Sequence, residues 1–232
     1  MLDTSLDSYL SNYTQFNDWL ITRRYQHLMQ YFVGKTCLEM GSAEGSGTPY
    51  LLKHFDKVTI VDGSREAVEN VSKKLKSPKL NAIHSYFEDM DFGDTKFDTI
   101  VVAHILEHVS TPQETLQKAK SFLAPGGVII VDVPNGNSLH RQVGVQMGLL
   151  NKNTQLNEAD LSIGHQRVYT PDTFKKEIES AGLNIKIFGG MFIKVVSNKQ
   201  TEKHFNKEQL EALFKVGEHN PEIAAEIFII AD

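Results

Sequence analysis

Short apolar runs alternate with segments of helical periodicity from Lys35 to the end of the chain. The runs read TCLEM, KVTIVD, LNAIHS, FDTIVVA, GGVIIVDV, NIKIFG followed by MFIKVV, and EIFIIA. Because polar residues do not alternate with apolar ones in these runs, we expect strands that are covered on both faces. Their alternation with helical segments predicts βαβ units and a mostly parallel sheet.

Three of the intervening helices are predicted from the residues that begin them. Ser64 precedes an apolar helical face, and residues 111–114 (TPQE) read as a capping box with proline at the first helical position. Thr170 and Pro171 open a third helix, which ends at Gly182.

Two segments lie outside this alternation. Residues 1–33 carry aromatic side chains at helical spacing and are predicted to form an N-terminal helical lid or cap. Residues 34–232 form the main domain, into which residues 135–169 are inserted as a long polar segment on the substrate side. No repeat or low-complexity tract divides the chain further.

Composition and charge narrow the class of partner. The chain has 232 residues, of which 41% are hydrophobic, and this is enough for one sizeable core. Its formal charge of -5 and the lack of a Lys/Arg run disfavour nucleic acid. A single cysteine, an acidic start and apolar runs far below the roughly 20 residues that span a bilayer predict a cytoplasmic protein with no membrane partner.

The stretch CLEMGSAEGSG, residues 37–47, places three glycines directly behind an apolar run. A phosphate-binding P-loop is excluded, because Gly47 is followed by Thr-Pro where that motif requires a Lys-Ser/Thr pair. A dinucleotide fingerprint beginning at Gly41 is broken twice, by Ala43 and by Ser46. What remains is a tight turn that leads from a strand into a helix.

Two acidic residues indicate which ligand this turn receives. Glu39 stands two positions before Gly41, where it would repel a pyrophosphate but would suit a cation. Asp62 ends the next strand, where an acidic side chain can accept both hydroxyls of a ribose. An adenosine that carries a positive charge satisfies both residues, and S-adenosylmethionine is such a ligand.

From about residue 34 onward the chain resembles the class I methyltransferases that depend on S-adenosylmethionine. LEMGSAEGSG is similar to the family's first motif, although Ser42 and Ala43 stand where Cys-Gly is common. YFEDMDF, FDTIVVAHILEHV and FLAPGGVIIVDVPN resemble the segments at the third, fourth and fifth strands. The resemblance implies an α/β fold with a doubly wound, Rossmann-like, seven-stranded sheet. Its last strand, residues 226–231, would be antiparallel and inserted beside the sixth.

The same resemblance implies roles around the cofactor. The glycine loop would hold the methionyl part, Asp62 the ribose, and Phe87 with Glu88 the adenine, while His104 would wall the methionine end. The predicted cofactor-binding residues are Arg24, Glu39, Gly41, Ser42, Ala43, Gly45, Asp62, Gly63, Ser64, Phe87, Glu88, Ala103 and His104.

Histidines supply the candidates for a general base, a group that accelerates proton transfer by a factor of about 100 to 10,000. His165 and His140 lead, and His108 is third, since all three follow strand ends or lie in the insertion. HILEH also spells the HxxEH pattern of some zinc proteases. We expect no metal, because the fourth strand runs directly into His104 and places it on a turn. Arg141 and Arg167 are weaker candidates for holding an anionic substrate.

The predicted reaction is transfer of the methyl group of S-adenosylmethionine to an O or N atom of a small-molecule acceptor by direct displacement, which yields S-adenosylhomocysteine. Residues 135–169 resemble those of bacterial methyltransferases of sugar, polysaccharide or secondary-metabolite pathways. The sequence leaves open whether the chain forms a homodimer.

Two other classes of function also stay open. An NAD-dependent oxidoreductase would share the fold and Asp62 but should carry glycine at position 43, and a non-catalytic S-adenosylmethionine-binding protein would need no acceptor pocket.

Overall fold

The structure is a computed structural model that describes residues 14–232. Its strands are β1 (Thr36–Met40), β2 (Lys57–Asp62), β3 (Leu80–His84), β4 (Phe97–Ala103), β5 (Leu123–Pro134), β6 (Ile185–Met191) and β7 (Glu226–Ala231). They form one sheet in the order β3-β2-β1-β4-β5-β7-β6. The first five strands pair in parallel, and β7 runs antiparallel between β5 and β6. The predicted fold class, including the antiparallel last strand, is confirmed.

The helices cover both faces of the sheet. They are α1 (Gln15–Leu28), α2 (Thr48–His54), α3 (Arg65–Lys74), α4 (Pro112–Ser121), α5 (Leu139–Gln146), α6 (Glu158–Ser162), α7 (Pro171–Ser180), α8 (Asn198–His204) and α9 (Lys207–His219). Buried side chains of α4 and α7 share one core with alternate strand residues such as Leu38 and Ile100. The other core joins α1, α2, α3 and α9 to the opposite strand face, which includes Cys37 and Val101.

Two of the three predicted helix starts are made by side-chain caps. Ser64 Oγ accepts a hydrogen bond from the Ala67 amide at 3.2 Å, and Thr170 forms a reciprocal capping box with Thr173. The predicted box at residues 111–114 is wrong in detail. The helix begins at Pro112, but the Thr111 side chain makes no cap, because its ψ of 73° lies outside the extended region that capping requires.

The predicted strand MFIKVV ends early. Phe192, directly after β6, has a φ of +61°, a left-handed conformation that stops extended pairing. Part of the predicted lid, residues 1–13, lies outside the described residues, whereas α1 packs on α8. The division into a lid and a main domain stays a prediction. Within residues 14–232, no helix combines the length and the apolar character that crossing a membrane requires.

Asp98 fixes the chain where it enters the sheet. Its Oδ2 accepts hydrogen bonds from the Lys35 amide at 2.7 Å, the Thr36 amide at 2.9 Å and Thr36 Oγ1 at 2.9 Å. These bonds, the one from Lys35 first, hold the pKa of Asp98 below its usual value. The carboxylate therefore stabilises the start of β1, from which the glycine loop follows.

Asp98→Asn is predicted to lower the free energy of unfolding at pH 7 by about 1–2 kcal/mol, a value discounted for the partial exposure of the side chain. Since the folded pKa lies below the unfolded value of about 3.9, this contribution is complete above that value and is lost as the pH falls through the folded pKa. Urea unfolding of both proteins between pH 7 and pH 3 should therefore show the difference shrinking in acid. Asp56→Asn, on an exposed side chain, is the matched control; a difference independent of pH would contradict the role of the Asp98 charge.

Candidate functional site

A cavity of about 640 Å³ opens at the carboxyl ends of the parallel strands, the edge at which ligands bind in open α/β sheets. Its loop half is formed by Glu39, the loop of residues 41–47, Asp62 and Phe87. Its insertion half is formed by residues of the HILEH turn and the insertion, together with Lys194. The three predicted catalytic histidines line the insertion half.

The cavity also brings together most of the predicted cofactor-binding residues. Those that line it are Arg24, Glu39, Gly41, Ser42, Ala43, Asp62, Gly63, Ser64, Phe87, Ala103 and His104. Gly45 does not line it, and its φ of +69° instead shapes the loop against Val71. Glu88 is exposed and faces a smaller neighbouring cavity of about 70 Å³.

The glycine loop is a tight turn, as its sequence predicts. Gly41 has a φ of +74°, a left-handed conformation that favours glycine, and Ile105 Cδ1 lies 2.2 Å from the place that a Cβ would take. Ala43 takes a φ of +43° despite its side chain. Ser42 Oγ is buried and has no hydrogen-bond partner within residues 14–232. The loop therefore presents an unsatisfied hydroxyl and open backbone at the cavity wall.

Asp62 organises this loop. Its Oδ2 accepts hydrogen bonds from the amides of Ser42 at 2.9 Å and Ala43 at 3.1 Å, and its Oδ1 accepts one from the Ser64 amide at 2.9 Å. An ionised carboxylate offers about four acceptor positions, so it retains capacity for a ligand hydroxyl. Binding of the ribose by Asp62 stays a prediction.

Glu39 is buried, and its two oxygens have protein partners. Tyr25 Oη donates to Oε1 and Thr48 Oγ1 donates to Oε2, both at 2.7 Å. Burial outweighs these hydrogen bonds and raises the pKa of Glu39 to about 7. The carboxylate thus ties α1 to the start of α2, and a cation in the loop half would favour its ionised form. Tyr25 is a site residue that sequence reasoning missed.

Arg24 lies at the centre of a buried ionic group that also contains His104, Asp132 and Glu226. Its guanidinium donates to Glu226 Oε2 at 3.0 Å and Oε1 at 2.6 Å, and Nε lies 2.9 Å from Asp132 Oδ2. Its Nη2 lies 2.7 Å from His104 Nε2. Arg24 was predicted to bind the cofactor, but these contacts already engage its guanidinium and anchor α1 over the sheet. Asp132 and Glu226 were missed, although each is an acidic residue in an otherwise apolar strand at the ligand-binding edge.

Glu107, His108 and His165 form a second group, here called the Glu107–His108–His165 cluster, in which Glu107 and His165 are buried and His108 is half-buried. The rings of His108 and His165 meet edge to face with centroids 4.7 Å apart. His165 Nδ1 lies 3.5 Å from Asp160 Oδ1, and Asp160 binds Arg141 Nη1 at 3.1 Å. Burial lowers the pKa of His108, and the neighbouring imidazoles add to this effect.

His140 and the two arginines of the insertion have less freedom to react. Burial, with Lys194 and Arg141 nearby, lowers the pKa of His140 to about 3, which makes it a weak proton acceptor at neutral pH. Arg141 donates to the Asn153 and Gln155 carbonyls, and Arg167 to the carbonyls of residues 106, 109 and 110. Both arginines therefore hold the insertion in place.

Lys194 differs from these side chains. Within residues 14–232 it has no hydrogen-bond or ion-pair partner, although it lines the cavity. Burial lowers its pKa to about 8, while Glu226 acts in the opposite direction. No sequence motif marks this residue, which follows the end of β6.

The loop half fits S-adenosylmethionine. Gly41 and Gly63 line it, Ser42 Oγ lacks a partner, and a cation bound beside Glu39 would favour the ionised form of this carboxylate. A pyrophosphate would be repelled by the ionised form of Glu39, whereas a sulfonium and an amino group would stabilise that form. The residues present are therefore compatible with a cationic adenosyl ligand.

Comparison with known proteins identifies the family of the chain. A family model described as "Methyltransferase domain" matches residues 13–186. The ubiquinone biosynthesis O-methyltransferase of Coxiella burnetii is 26% identical over 174 residues, covering 72% of this chain and 70% of that protein. The tRNA 5-carboxymethoxyuridine methyltransferase of Escherichia coli is 26% identical over 191 residues, with coverages of 77% and 70%. A probable S-adenosylmethionine-dependent methyltransferase of Mycolicibacterium smegmatis is 26% identical over 111 residues, which span only 42% of its length.

Solved structures share the fold along the chain. A SAM-dependent methyltransferase from Aquifex aeolicus superposes with a TM-score of 0.64 at 15% identity, covering 100% of this chain and 98% of that one. The N-methyltransferase NodS from Bradyrhizobium japonicum, solved with S-adenosylhomocysteine, gives a TM-score of 0.56 at 15% identity and covers 90% and 85%. The family match and the cavity together lead to one conclusion: the chain belongs to the methyltransferase-domain family and is an S-adenosylmethionine-dependent methyltransferase.

Proposed function

We propose that the protein methylates an oxygen or nitrogen atom of a small molecule that carries an anionic group. The observation that carries this proposal is the continuity of one cavity, in which the loop half opens directly onto a wall of histidines and a free lysine. Its volume of about 640 Å³ suits a cofactor with a small acceptor, since such sites span about 300–1,000 Å³.

Charge favours a small molecule over RNA as the acceptor, although one relative acts on tRNA. The formal charge of the chain is -5, and Arg141 and Arg167 are occupied by backbone carbonyls. RNA binding depends on several free cationic side chains that contact phosphates. Within residues 14–232, the cavity offers Lys194 as a cation without a protein partner, which fits one carboxylate or phosphate on the acceptor.

The loop half and the insertion half of the cavity have different roles in the proposed methyl transfer. S-Adenosylmethionine supplies a methyl carbon that its sulfonium makes electrophilic. The protein must hold the acceptor atom in line with that carbon and must receive a proton from a hydroxyl or ammonium acceptor. The Glu107–His108–His165 cluster is the candidate for handling that proton. His165 Nδ1 faces Asp160, which leaves Nε2 with the lone pair when Nδ1 carries hydrogen.

The class of acceptor can be tested with radiolabelled S-adenosylmethionine and pools of phenolic acids, hydroxy acids, sugar nucleotides, amines and total tRNA. We expect label in one acidic small-molecule pool. Label only in tRNA would contradict the proposal and favour an RNA acceptor. No transfer despite binding of S-adenosylhomocysteine would also contradict it and favour a non-catalytic binding protein.

Asp62→Asn is predicted to weaken S-adenosylhomocysteine binding by at least tenfold, about 1.4 kcal/mol. The substitution removes the charge that orders the Ser42 and Ala43 amides and the acceptor predicted for the ribose. Isothermal titration calorimetry measures the change, with exposed Asp94→Asn as the matched control. NAD should bind neither variant nor the parent; tight NAD binding without affinity for S-adenosylhomocysteine would instead indicate an oxidoreductase.

His165→Ala is predicted to lower kcat by about 100- to 10,000-fold, as expected for loss of a group that handles the acceptor's proton. His140→Gln should lower kcat by less than about tenfold, because its low pKa makes it a weak base. Steady-state kinetics on the identified acceptor compare the two variants, and unchanged S-adenosylhomocysteine affinity verifies an intact loop half. Equal losses in both variants would remove the distinction drawn between these histidines.

Lys194→Met is predicted to raise KM for the acidic acceptor by at least tenfold and to leave KM for its neutral ester or amide analogue nearly unchanged. Since the pKa of Lys194 is about 8 in the free protein, kcat/KM for the acidic acceptor should fall as the pH rises through 8. Exposed Lys186→Met is the control. The same increase in KM for both acceptors would show that Lys194 does not recognise the charge.

A further inference from the structure

We propose that the Glu107–His108–His165 cluster binds a divalent transition-metal ion. One potential ligand atom from each side chain lies within 4.8 Å of the other two. Two imidazoles with one carboxylate form the ligand set of several catalytic zinc and non-haem iron sites, in which the remaining coordination positions are open.

Glu107 provides independent support for a cation at this position. The residue is 1% exposed, and neither carboxylate oxygen accepts an aligned hydrogen bond within residues 14–232. Oε1 is paired with His104 Nδ1 at 3.2 Å, whereas Oε2 has no partner within residues 14–232. The nearby guanidinium of Arg24 is occupied by Glu226 and Asp132, and Arg167 by backbone carbonyls. Oε2 is therefore a buried carboxylate oxygen without a partner, which is costly, and a cation bound in the cluster would supply that partner.

His165 is held by an outer partner, as metal ligands usually are. His165 Nδ1 faces Asp160, whose own carboxylate is fixed by Arg141 Nη1 at 3.1 Å and by the Asn157 amide at 3.0 Å. Nδ1 of His165 is therefore oriented by the protein, an arrangement that fixes ring orientation and strengthens metal binding.

A second group of potential ligands lies nearby, but it is not proposed as a metal site. His104, Asp132 and Glu226 also offer three ligand atoms within 4.8 Å of one another. However, the guanidinium of Arg24 already lies 2.6–3.0 Å from both carboxylates and would repel a metal ion. The proposal therefore concerns one site.

This site revises the expectation that HILEH binds no metal. His104, the first histidine of the pattern, has a φ of +54° and turns toward Arg24, so the helical spacing of zinc proteases is not used. The proposed ligands are instead Glu107, His108 and His165 of the distant GHQR segment. Sequence spacing alone gives no sign of that third ligand.

The use of the metal rests on the proposed function, whereas the site itself does not. A metal ion with open positions in the insertion half would bind an acceptor oxygen and lower the pKa of its hydroxyl. The hydroxyl proton would then pass to solvent water, and the loss of kcat predicted for His165→Ala would result from loss of a metal ligand in place of loss of a base.

The test uses the full chain without an affinity tag, freed of metal by chelation. Titration with Co²⁺, followed by visible absorption, is expected to show one ion per chain, and elemental analysis after Zn²⁺ loading should give the same stoichiometry. His165→Gln and His108→Ala should weaken Co²⁺ binding by at least 100-fold, and Asp160→Asn by about 10- to 100-fold. Exposed His204→Ala is the matched control and should bind as the parent does.

Folding of each variant is verified by thermal melting and by S-adenosylhomocysteine affinity. No stoichiometric Co²⁺ binding by the parent, or equal binding by folded His165→Gln, would overturn the metal site. Loss of activity in His165→Ala without any metal binding would likewise overturn it and identify His165 as a base. Tight Co²⁺ binding that depends on the three ligands, without methyl transfer to any acceptor, would support the site while refuting the proposed function.

Discussion

The guanidinium of Arg24 is the contact on which the geometry of the cavity depends. It joins α1 to Asp132 at the end of β5 and to Glu226 at the start of β7, and it touches His104 on the turn after β4. Buried charges are stable only when they are paired, and removing one partner leaves the others exposed to the full cost of desolvation. The guanidinium therefore holds α1, which lines the cavity, against the ends of β4, β5 and β7.

The position of α1 then determines the loop half. Tyr25 follows Arg24 directly, and its hydroxyl donates to Glu39 while its ring packs against Gly47. A Cβ at Gly47 would lie 2.1 Å from Tyr25 Cζ, so the glycine loop and the helix can approach only because that glycine is present. The third glycine of the motif thus serves the packing of α1 against the loop, not contact with a pyrophosphate.

The sequence patterns predicted those strands and helix starts that depend only on residues close together in the chain. The strands β1, β2, β4 and β7 and the helix starts at Ser64 and Thr170 follow from apolar runs and capping residues. The antiparallel placement of β7 was predicted from the resemblance to a known family. The sequence of this short strand does not by itself indicate which strands pair with it. The missing Thr111 cap shows the limit of a local motif, since the letters of a capping box do not fix the backbone angles that it needs.

The site could be predicted only in part, because its contacts join residues that are far apart in sequence. Arg24 and Glu226 are 202 positions apart, and nothing near either residue indicates the other. Arg141 and Arg167 looked free in a polar segment, yet both are occupied by carbonyls that appear only once the insertion has folded. The glycine loop and Asp62 were predictable because their chemistry is encoded within one βαβ unit.

The charge balance of the cavity links its two halves. Seven acidic side chains line it within residues 14–232: Glu39, Glu44, Asp62, Glu66, Glu107, Asp160 and Glu226. Four cationic side chains line it, and three of them, Arg24, Arg141 and Arg167, are engaged by protein partners. Such a wall favours cations, which agrees with a sulfonium ligand in the loop half and with the metal ion proposed beside Glu107. Lys194 is the one cationic side chain of this lining, within residues 14–232, that has no hydrogen-bond or ion-pair partner. Its ammonium group would direct the acid group of the proposed acceptor toward one end of the insertion half.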